Sequence, residues 1–294
     1  MGLEVNPNPL QGLGKVNQEK QSIPWPGQEK EMKPRPDHGE TSYRGSGKLA
    51  GMKALVTGGD SGIGKAVAIA FAREGADVSI AYLNEHEDAQ DTVQWVEKAG
   101  RQALAIPGDL QDVEHCRTVV RQAFEKFGRL DILVNNAAYQ HELKDFSRLT
   151  PEELEKTFRT NIFAYIWLAQ AALEHLKQGG IIINTGSVTG LEGHPTLLDY
   201  SATKGAIHTF TKSLAGVVAS RGIRVNCVAP GPVWTPLVPA TTSPEHVEKS
   251  GQSTLWKRPA QPAEIAPSFV FLASSDSLFY TGEILAPTGS VLAR

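Results

Sequence analysis

Tyr200 stands four positions before Lys204 in the stretch LLDYSATKGAIHTFTKSL, residues 197–214. If that stretch is a helix, a phenol and an ammonium lie one turn apart on one face. Their neighbours Ser201, Ala202, Thr203, Gly205 and Ala206 are small and leave room for a second molecule. Two more polar groups fall where apolar runs would otherwise continue. Ser187 ends the run IIINTGS, and Asn161 interrupts the helical pattern around FRTNIF. Asn is a poor mid-helix residue because its side chain competes for backbone hydrogen bonds. A phenol, an ammonium, a hydroxyl and a carboxamide are groups that hold and move protons.

A second feature predicts what they face. TGGDSGIGK, residues 57–65, follows the apolar run KALVT and opens the helical pattern KAVAIAFAREG. In that strand-to-helix context the glycines carry meaning. Gly58 lets the chain turn sharply, Gly62 lets backbone approach a pyrophosphate, and Gly64 lets helix and sheet pack closely. Asp60, Ser61 and Ile63 fill the rest of the turn. Free N–H groups and the helix dipole favour a dinucleotide phosphate there. The tip of the second strand, Tyr82, Leu83 and Asn84, should meet the adenosine ribose. No Asp or Arg stands at that tip, and Glu85 and Glu87 are read as pointing away. The missing carboxylate tilts the reading toward NADP(H) and leaves NAD(H) open. Asp109, followed by Leu110 in GDL, is placed either to accept from an adenine amino group or to cap the next helix.

Apolar strands alternate with helices through the rest of the chain: DVSIAYL, EDAQDTVQWVEKAG, QALAIPG, VEHCRTVVRQAFEKFG, LDILVNNAA. A long helix over 150–176 opens with a capping box, Thr150 to Glu153, and with Pro151 at its first position. GGIIINTGS, the Tyr200 helix and IRVNCVAPG complete the series. Continuous apolar strands alternating with helices predict one doubly wound parallel sheet of about seven strands, an α/β Rossmann fold. It would occupy residues 49–294. Residues 1–48 hold six prolines and few aliphatic side chains. They are read as an extension, disordered to about residue 20 and then partly docked through Trp25 and Tyr43.

The 294 residues carry a formal charge of -3 and no long basic run, which argues against nucleic acid and anionic membranes. No apolar stretch approaches the length of a membrane helix. Two cysteines and eight histidines show no metal spacing. A cytoplasmic protein with reduced thiols is expected.

Taken together, the T-G-x-x-x-G-x-G turn at 57–64, NNAA at 135–138, Asn161, Ser187, YSATK at 200–204 and PGPVWT at 230–235 resemble the single-domain short-chain dehydrogenase/reductase family. The leader over 24–51 is similar to that of a bacterial subgroup of aldehyde reductases and glucose/ribitol-dehydrogenase-like proteins. The resemblance implies hydride exchange between NAD(P) and a small carbonyl or alcohol. It makes Tyr200 the general acid/base and Lys204 its activator and ribose ligand. Ser187 would hold the substrate oxygen, and Asn161 would place a water that links Lys204 to solvent. Asn135 and Ala137 would line the cleft, with Pro230, Gly231, Val233 and Thr235 against the nicotinamide. Lys204 and the oxidised ring would lower the Tyr200 pKa by roughly 2–3 units. Ala138 and Ser290 stand where the family usually has glycine.

The pocket is expected between Tyr139, Gln140 and His141, residues 189–196, and a loop from Trp234 to about Leu255 that could serve as a lid. Its mixed lining suits a small aldehyde, ketone or polyol. The family implies a homotetramer paired through the helices around 151–176 and 199–220. A dinucleotide-binding sensor or scaffold without turnover is the alternative from another class. The intact Ser187, Tyr200 and Lys204 speak against it.

Overall fold

The computed structural model describes residues 8–10, 12 and 18–290. Seven strands form one parallel sheet: β1 Lys53–Thr57, β2 Asp77–Tyr82, β3 Ala103–Pro107, β4 Ile132–Asn135, β5 Ile181–Thr185, β6 Arg224–Val228 and β7 Ile284–Leu285. Their order is β3-β2-β1-β4-β5-β6-β7. The order reverses between β1 and β4, so the chains leaving those two strands part and open a crevice at their carboxyl ends.

Side-chain alternation splits the strands between two cores. Val56, Val78, Ile80, Val134 and Ile183 face one core, while Leu55, Leu133, Ile182 and Val225 face the other. On the first face lie α1 (Gly62–Arg73), α2 (His86–Lys98) and, from the far end of the chain, Pro262–Ala273. On the second lie α3 (Val113–Phe127), the helical run that starts with α4 (Pro151–Phe158), and a long helix over Leu198–Val218.

The run from Pro151 is not one helix. It passes through a π turn at Arg159–Phe163 before resuming as α5 (Ala164–Leu173). The predicted capping box at Thr150 and Glu153 is formed. A short α6 (Thr189–Glu192) precedes α7 (Leu198–Val218). The segment after β6 then folds as α8 (Leu237–Thr241), α9 (Pro244–Lys249) and α10 (Pro262–Ala273).

The extension lies on the body from residue 18 onward. Tyr43 Oη donates to Glu74 Oε1 at 2.6 Å, and the N–H groups of Ser46 and Lys48 donate to Glu74 Oε2 at 2.8 and 2.9 Å. The disorder expected up to about residue 20 falls mostly on residues outside those described. Among the described residues no helix is long and apolar enough to cross a membrane.

Candidate active site

A cleft of about 690 Å³ runs along the carboxyl ends of the strands. At its middle is the glycine turn. Gly58 and Gly62 adopt φ of +60° and +51°, a region that side chains with a Cβ enter at a cost. A Cβ on Gly64 would fall 1.9 Å from the Gly58 carbonyl oxygen, so helix and strand exit touch backbone to backbone. Gly58, Asp60, Ser61, Gly62 and Ile63 all line the cleft, as the sequence predicts. With no Cβ at Gly62 or Gly64, the backbone at the start of α1 fits a dinucleotide pyrophosphate beside the Gly62 N–H, which Glu29 Oε1 accepts at 3.1 Å. Gly64→Ala should therefore destabilise the fold by about 1–3 kcal/mol, the usual cost of forcing atoms into packed space. It should also weaken dinucleotide binding at least about tenfold; thermal unfolding and a fluorescence titration with NADPH read the two effects.

At the adenosine end, Tyr82 and Leu83 line the cleft, but Asn84 is exposed and does not. Glu85 corrects the sequence reading. It caps α2, and this position turns its side chain inward, where it is buried and lines the cleft. Its Oε2 accepts the Asn84 N–H at 3.0 Å, and its Oε1 has no hydrogen-bond partner among the described residues. Asp60 shares that corner. Burial, and then the Glu85 charge, push its carboxyl up to about 7. Glu87 does point away and pairs with Lys30 at 2.7 Å. Asp109 and Leu110 line the cleft, and the Asp109 carboxylate holds the Gln111 N–H at 2.9 Å. The cap of α3 is Asp112 instead.

Asn135 does not reach the cleft. It is the last residue of β4, and its side chain points into the second core, where Nδ2 donates to Asn184 Oδ1 at 3.0 Å. One residue on, strand alternation sends Asn136 the other way. Its Nδ2 donates to the carbonyls of Thr57 and Gly58 at 3.0 and 3.2 Å, and its Oδ1 accepts from Thr185 Oγ1 at 3.3 Å. Asn136 thus ties together the ends of β1, β4 and β5 and lines the cleft beside Ala137. The repeated NN gave no means of choosing between them until the register was known.

Ser187, Tyr200 and Lys204 meet at the substrate end. All three are buried and all line the cleft. Lys204 Nζ lies 5.4 Å from the Tyr200 ring centroid, as one helical turn requires, and donates to the Thr185 carbonyl at 2.8 Å. The expected lowering of the phenol rests on Lys204 and an oxidised nicotinamide together, and Lys204 by itself does not produce it. Burial pushes Tyr200 up to about 12, and only its hydrogen bond with Ser187 acts the other way. Burial likewise drives Lys204 down to about 8. Without the ring's charge, desolvation outweighs the attraction of Lys204.

Asn161 is buried in the π turn but does not line the cleft. Its Oδ1 accepts the Tyr139 N–H at 2.7 Å, and its Nδ2 donates to the Tyr139 carbonyl at 2.8 Å and to Thr203 Oγ1 at 3.1 Å. The side chain fixes the loop after β4 against α7, and both of its N–H hydrogens are used there.

Pro230, Gly231, Val233 and Thr235 line the cleft as predicted. A Cβ on Gly231 would come within 2.5 Å of the Thr288 carbonyl. Trp234 does not line it; the ring is fully buried and its Nε1–H donates to the Pro34 carbonyl at 2.9 Å. Gln140 lines the substrate end, but Tyr139 and His141 face a side pocket of about 480 Å³. The sequence reading missed Glu142, Lys144 and Lys249, which give that end a charged rim with His194 and His246.

Residues 58–289 match the family model described as Enoyl-(Acyl carrier protein) reductase. The uncharacterized oxidoreductase YhdF of Bacillus subtilis is 53% identical over 90% of this chain and 91% of its own. NADPH-dependent aldehyde reductase 1 of Arabidopsis thaliana is 47% identical over 92% of this chain and 96% of its own. The glucose and ribitol dehydrogenase of Daucus carota is 47% identical over 92% and 94%. A short chain dehydrogenase from Burkholderia cenocepacia, crystallised in complex with NADP, superposes with a TM-score of 0.79 at 35% identity, covering 84% of this chain and all of that one. The glycine turn, the Ser187–Tyr200–Lys204 cluster and these likenesses agree: the chain belongs to the short-chain dehydrogenase/reductase family of NAD(P)-dependent oxidoreductases.

Proposed function

We propose that the chain interconverts a small polar carbonyl compound and its alcohol, with Tyr200 carrying the proton. The observation behind this reading is the cluster of Ser187, Tyr200 and Lys204, buried at one end of the cleft that the glycine turn lines farther along. A bound nicotinamide would supply or accept the hydride. Tyr200, protonated at neutral pH, donates to the carbonyl oxygen as it gains charge. Ser187 Oγ accepts from the Thr189 N–H at 3.1 Å, which holds it in place, and the hydrogen it shares with Tyr200 can turn to the substrate oxygen. Lys204 supplies positive charge beneath the phenol, fixed by the Thr185 carbonyl. In the reverse direction the proton returns to Tyr200. Asn161 acts by positioning Tyr139 and α7, and does not touch the reactants.

The charged rim favours a hydroxylated or polar substrate over an acyl-carrier thioester. Among polar substrates, the polyol and aldehyde readings are both open to one experiment. Aldehydes, ketones, sugars and polyols are offered with NADH and NADPH, or their oxidised forms, and absorbance is followed at the nicotinamide band. Turnover of none of them would sink the proposal.

Glu85 and Asp60 place two carboxylates beside the expected adenosine ribose. One of them suits ribose hydroxyls, and a 2′-phosphate would meet repulsion. Glu85→Gln should improve NADPH affinity relative to NADH by about tenfold, the effect of removing one nearby like charge. Parallel titrations with the two dinucleotides check it.

We also divide the chain into an extension over 1–48 and a catalytic body over 49–294, and read the assembly as a homotetramer. Phe163 and Val217, on the helices expected to pair, are 40% and 74% exposed and would be covered by a second copy. Light scattering reads the state directly. Cys116 and Cys227, both buried and unpaired, suit a reducing, cytoplasmic setting.

A further inference from the structure

The segment that walls the substrate end, α8 and α9 with their flanks, is held at many points by the extension. The Ile23 N–H donates to the Pro239 carbonyl at 3.1 Å. Gln18 Nε2 donates to the carbonyls of Val247 and Ser250 at 2.9 and 2.6 Å. Ile23 and Met32 share a small apolar core with Trp234 and Val247. Gly27, at φ +101°, lies so close to this segment that a Cβ there would stand 3.1 Å from Pro236 and 3.2 Å from Ala240. These contacts are long-range, buried and varied in kind, which a loosely tethered tail would not make.

The extension is anchored at its other end on the glycine turn. The Glu29 carboxylate is buried. Its Oε1 accepts the Gly62 N–H at 3.1 Å and lies 2.6 Å from His38 Nε2, and its Oε2 lies 2.6 Å from Lys65 Nζ. An anion at a helix start, with two cationic partners, is a firm attachment.

Between the two anchors, Trp25, Pro26 and Gly27 line the catalytic cleft itself. Trp25 also lines the 480 Å³ side pocket. Its ring meets the Tyr139 ring edge-on at 4.9 Å, and Lys156 Nζ lies 5.3 Å from the Trp25 centroid and 4.0 Å from that of Tyr139. The indole therefore stands, with Gln140, Glu142, Lys156 and Ser243, in the wall shared by the cleft and the side pocket.

We infer that the N-terminal extension is a working part of the active site: it straps down the 237–250 segment, and Trp25 limits the size of the substrate by walling the cleft off from the side pocket. The size limit rests on the carbonyl-reductase reading above; the strap does not. Loss of the indole should join the two cavities.

The test compares the parent with Trp25→Ala and Trp25→Phe in the full chain. Two probes of different bulk, propanal and 2-naphthaldehyde, are reduced with whichever of NADH and NADPH the parent uses. Trp25→Ala should raise the ratio of kcat/KM for the bulky probe over the small one by about tenfold or more, the usual worth of reshaping an apolar pocket wall. Trp25→Phe should largely restore the parent ratio. Dinucleotide affinity, followed by NADPH fluorescence, should stay within about threefold for all three proteins. Independently of turnover, amide exchange over 237–250 in Ile23→Ala without dinucleotide should quicken about tenfold or more, because Trp234 and Val247 have lost a packed neighbour. A lowered melting temperature with an unchanged ratio and unchanged exchange would overturn the inference. If the parent reduces neither probe, the size limit fails at that point while the carbonyl reading stands or falls by the wider panel above, and the exchange measurement decides the strap by itself.

Discussion

Tyr200→Phe is expected to lower turnover by about 10²–10⁴-fold while dinucleotide affinity stays within about twofold of the parent. The first figure is the usual worth of a positioned general acid/base. The second follows from what the substitution removes. The phenol is buried, and the ring that fills the space beside Ser187 and Lys204 is kept. Only one hydroxyl goes, and with it the bond to Ser187. The direction of catalysis sharpens the prediction. Burial pushes Tyr200 up to about 12, so at neutral pH nearly every molecule holds the proton that carbonyl reduction needs. Alcohol oxidation needs the phenolate, which becomes more abundant as pH rises toward 12. Rates with NAD(P)H and a carbonyl should therefore not be limited by this group at neutral pH, whereas rates with NAD(P) and an alcohol should climb from pH 7 to pH 9. The variant should lose that climb. An oxidation rate flat across this range in the parent would mean that the proton leaves by another group.

The parts of this molecule that the sequence disclosed are those set by neighbours along the chain. Six of the seven strands follow from apolar runs, the two-residue β7 being too short to show one, and the crevice follows from their alternation with helices. The glycine turn needs only its own backbone, and Gly58, Gly62 and Gly64 sit where close approach demands them. Tyr200 and Lys204 share a face because helical pitch puts them there. The misreadings all concern quantities that no local pattern carries. Strand parity decided between Asn135 and Asn136, and one residue of register reverses the answer. The inward turn of Glu85 depends on where α2 begins. The π turn depends on Asn161 reaching across to Tyr139, 22 residues earlier in the chain. The acidity of Tyr200 is expected from Lys204 and an oxidised nicotinamide, and the burial that acts against both is not written in the spacing. Trp234 reads as a pocket residue by its place in a loop, yet it is the floor on which the extension lies.

Lys204→Met should separate function from stability in opposite directions. The ammonium is buried, and burial drives it from 10.5 down to about 8. Keeping it charged at neutral pH thus costs the folded chain about 3 kcal/mol, taken as the free energy of that displacement. Methionine has a similar unbranched shape and carries no charge. It forfeits the hydrogen bond to the Thr185 carbonyl at 2.8 Å, worth about 1–2 kcal/mol, although Tyr165 Oη still lies 3.4 Å from that oxygen. The balance is a gain of about 1–2 kcal/mol in the dinucleotide-free protein at pH 7, a melting temperature higher by a few degrees. The advantage must depend on pH with a definite sign. Between about 8 and 10.5 the unfolded chain binds more protons than the folded one, so the parent gains stability across that window relative to the variant. The difference between the two proteins should shrink as pH rises through it, and above 10.5 the parent should be the more stable. Activity should fall by at least about 10²-fold, because the charge beneath the phenol is lost. In the parent the same loss sets in reversibly near pH 8, so carbonyl reduction should begin to decline there, well below the point at which Tyr200 itself gives up its proton. Denaturant unfolding at pH 7, 9 and 11, paired with a pH–rate profile, measures both. A variant less stable than the parent at pH 7 would show that the Lys204 charge is compensated in the folded chain, and that the site holds its ammonium without strain.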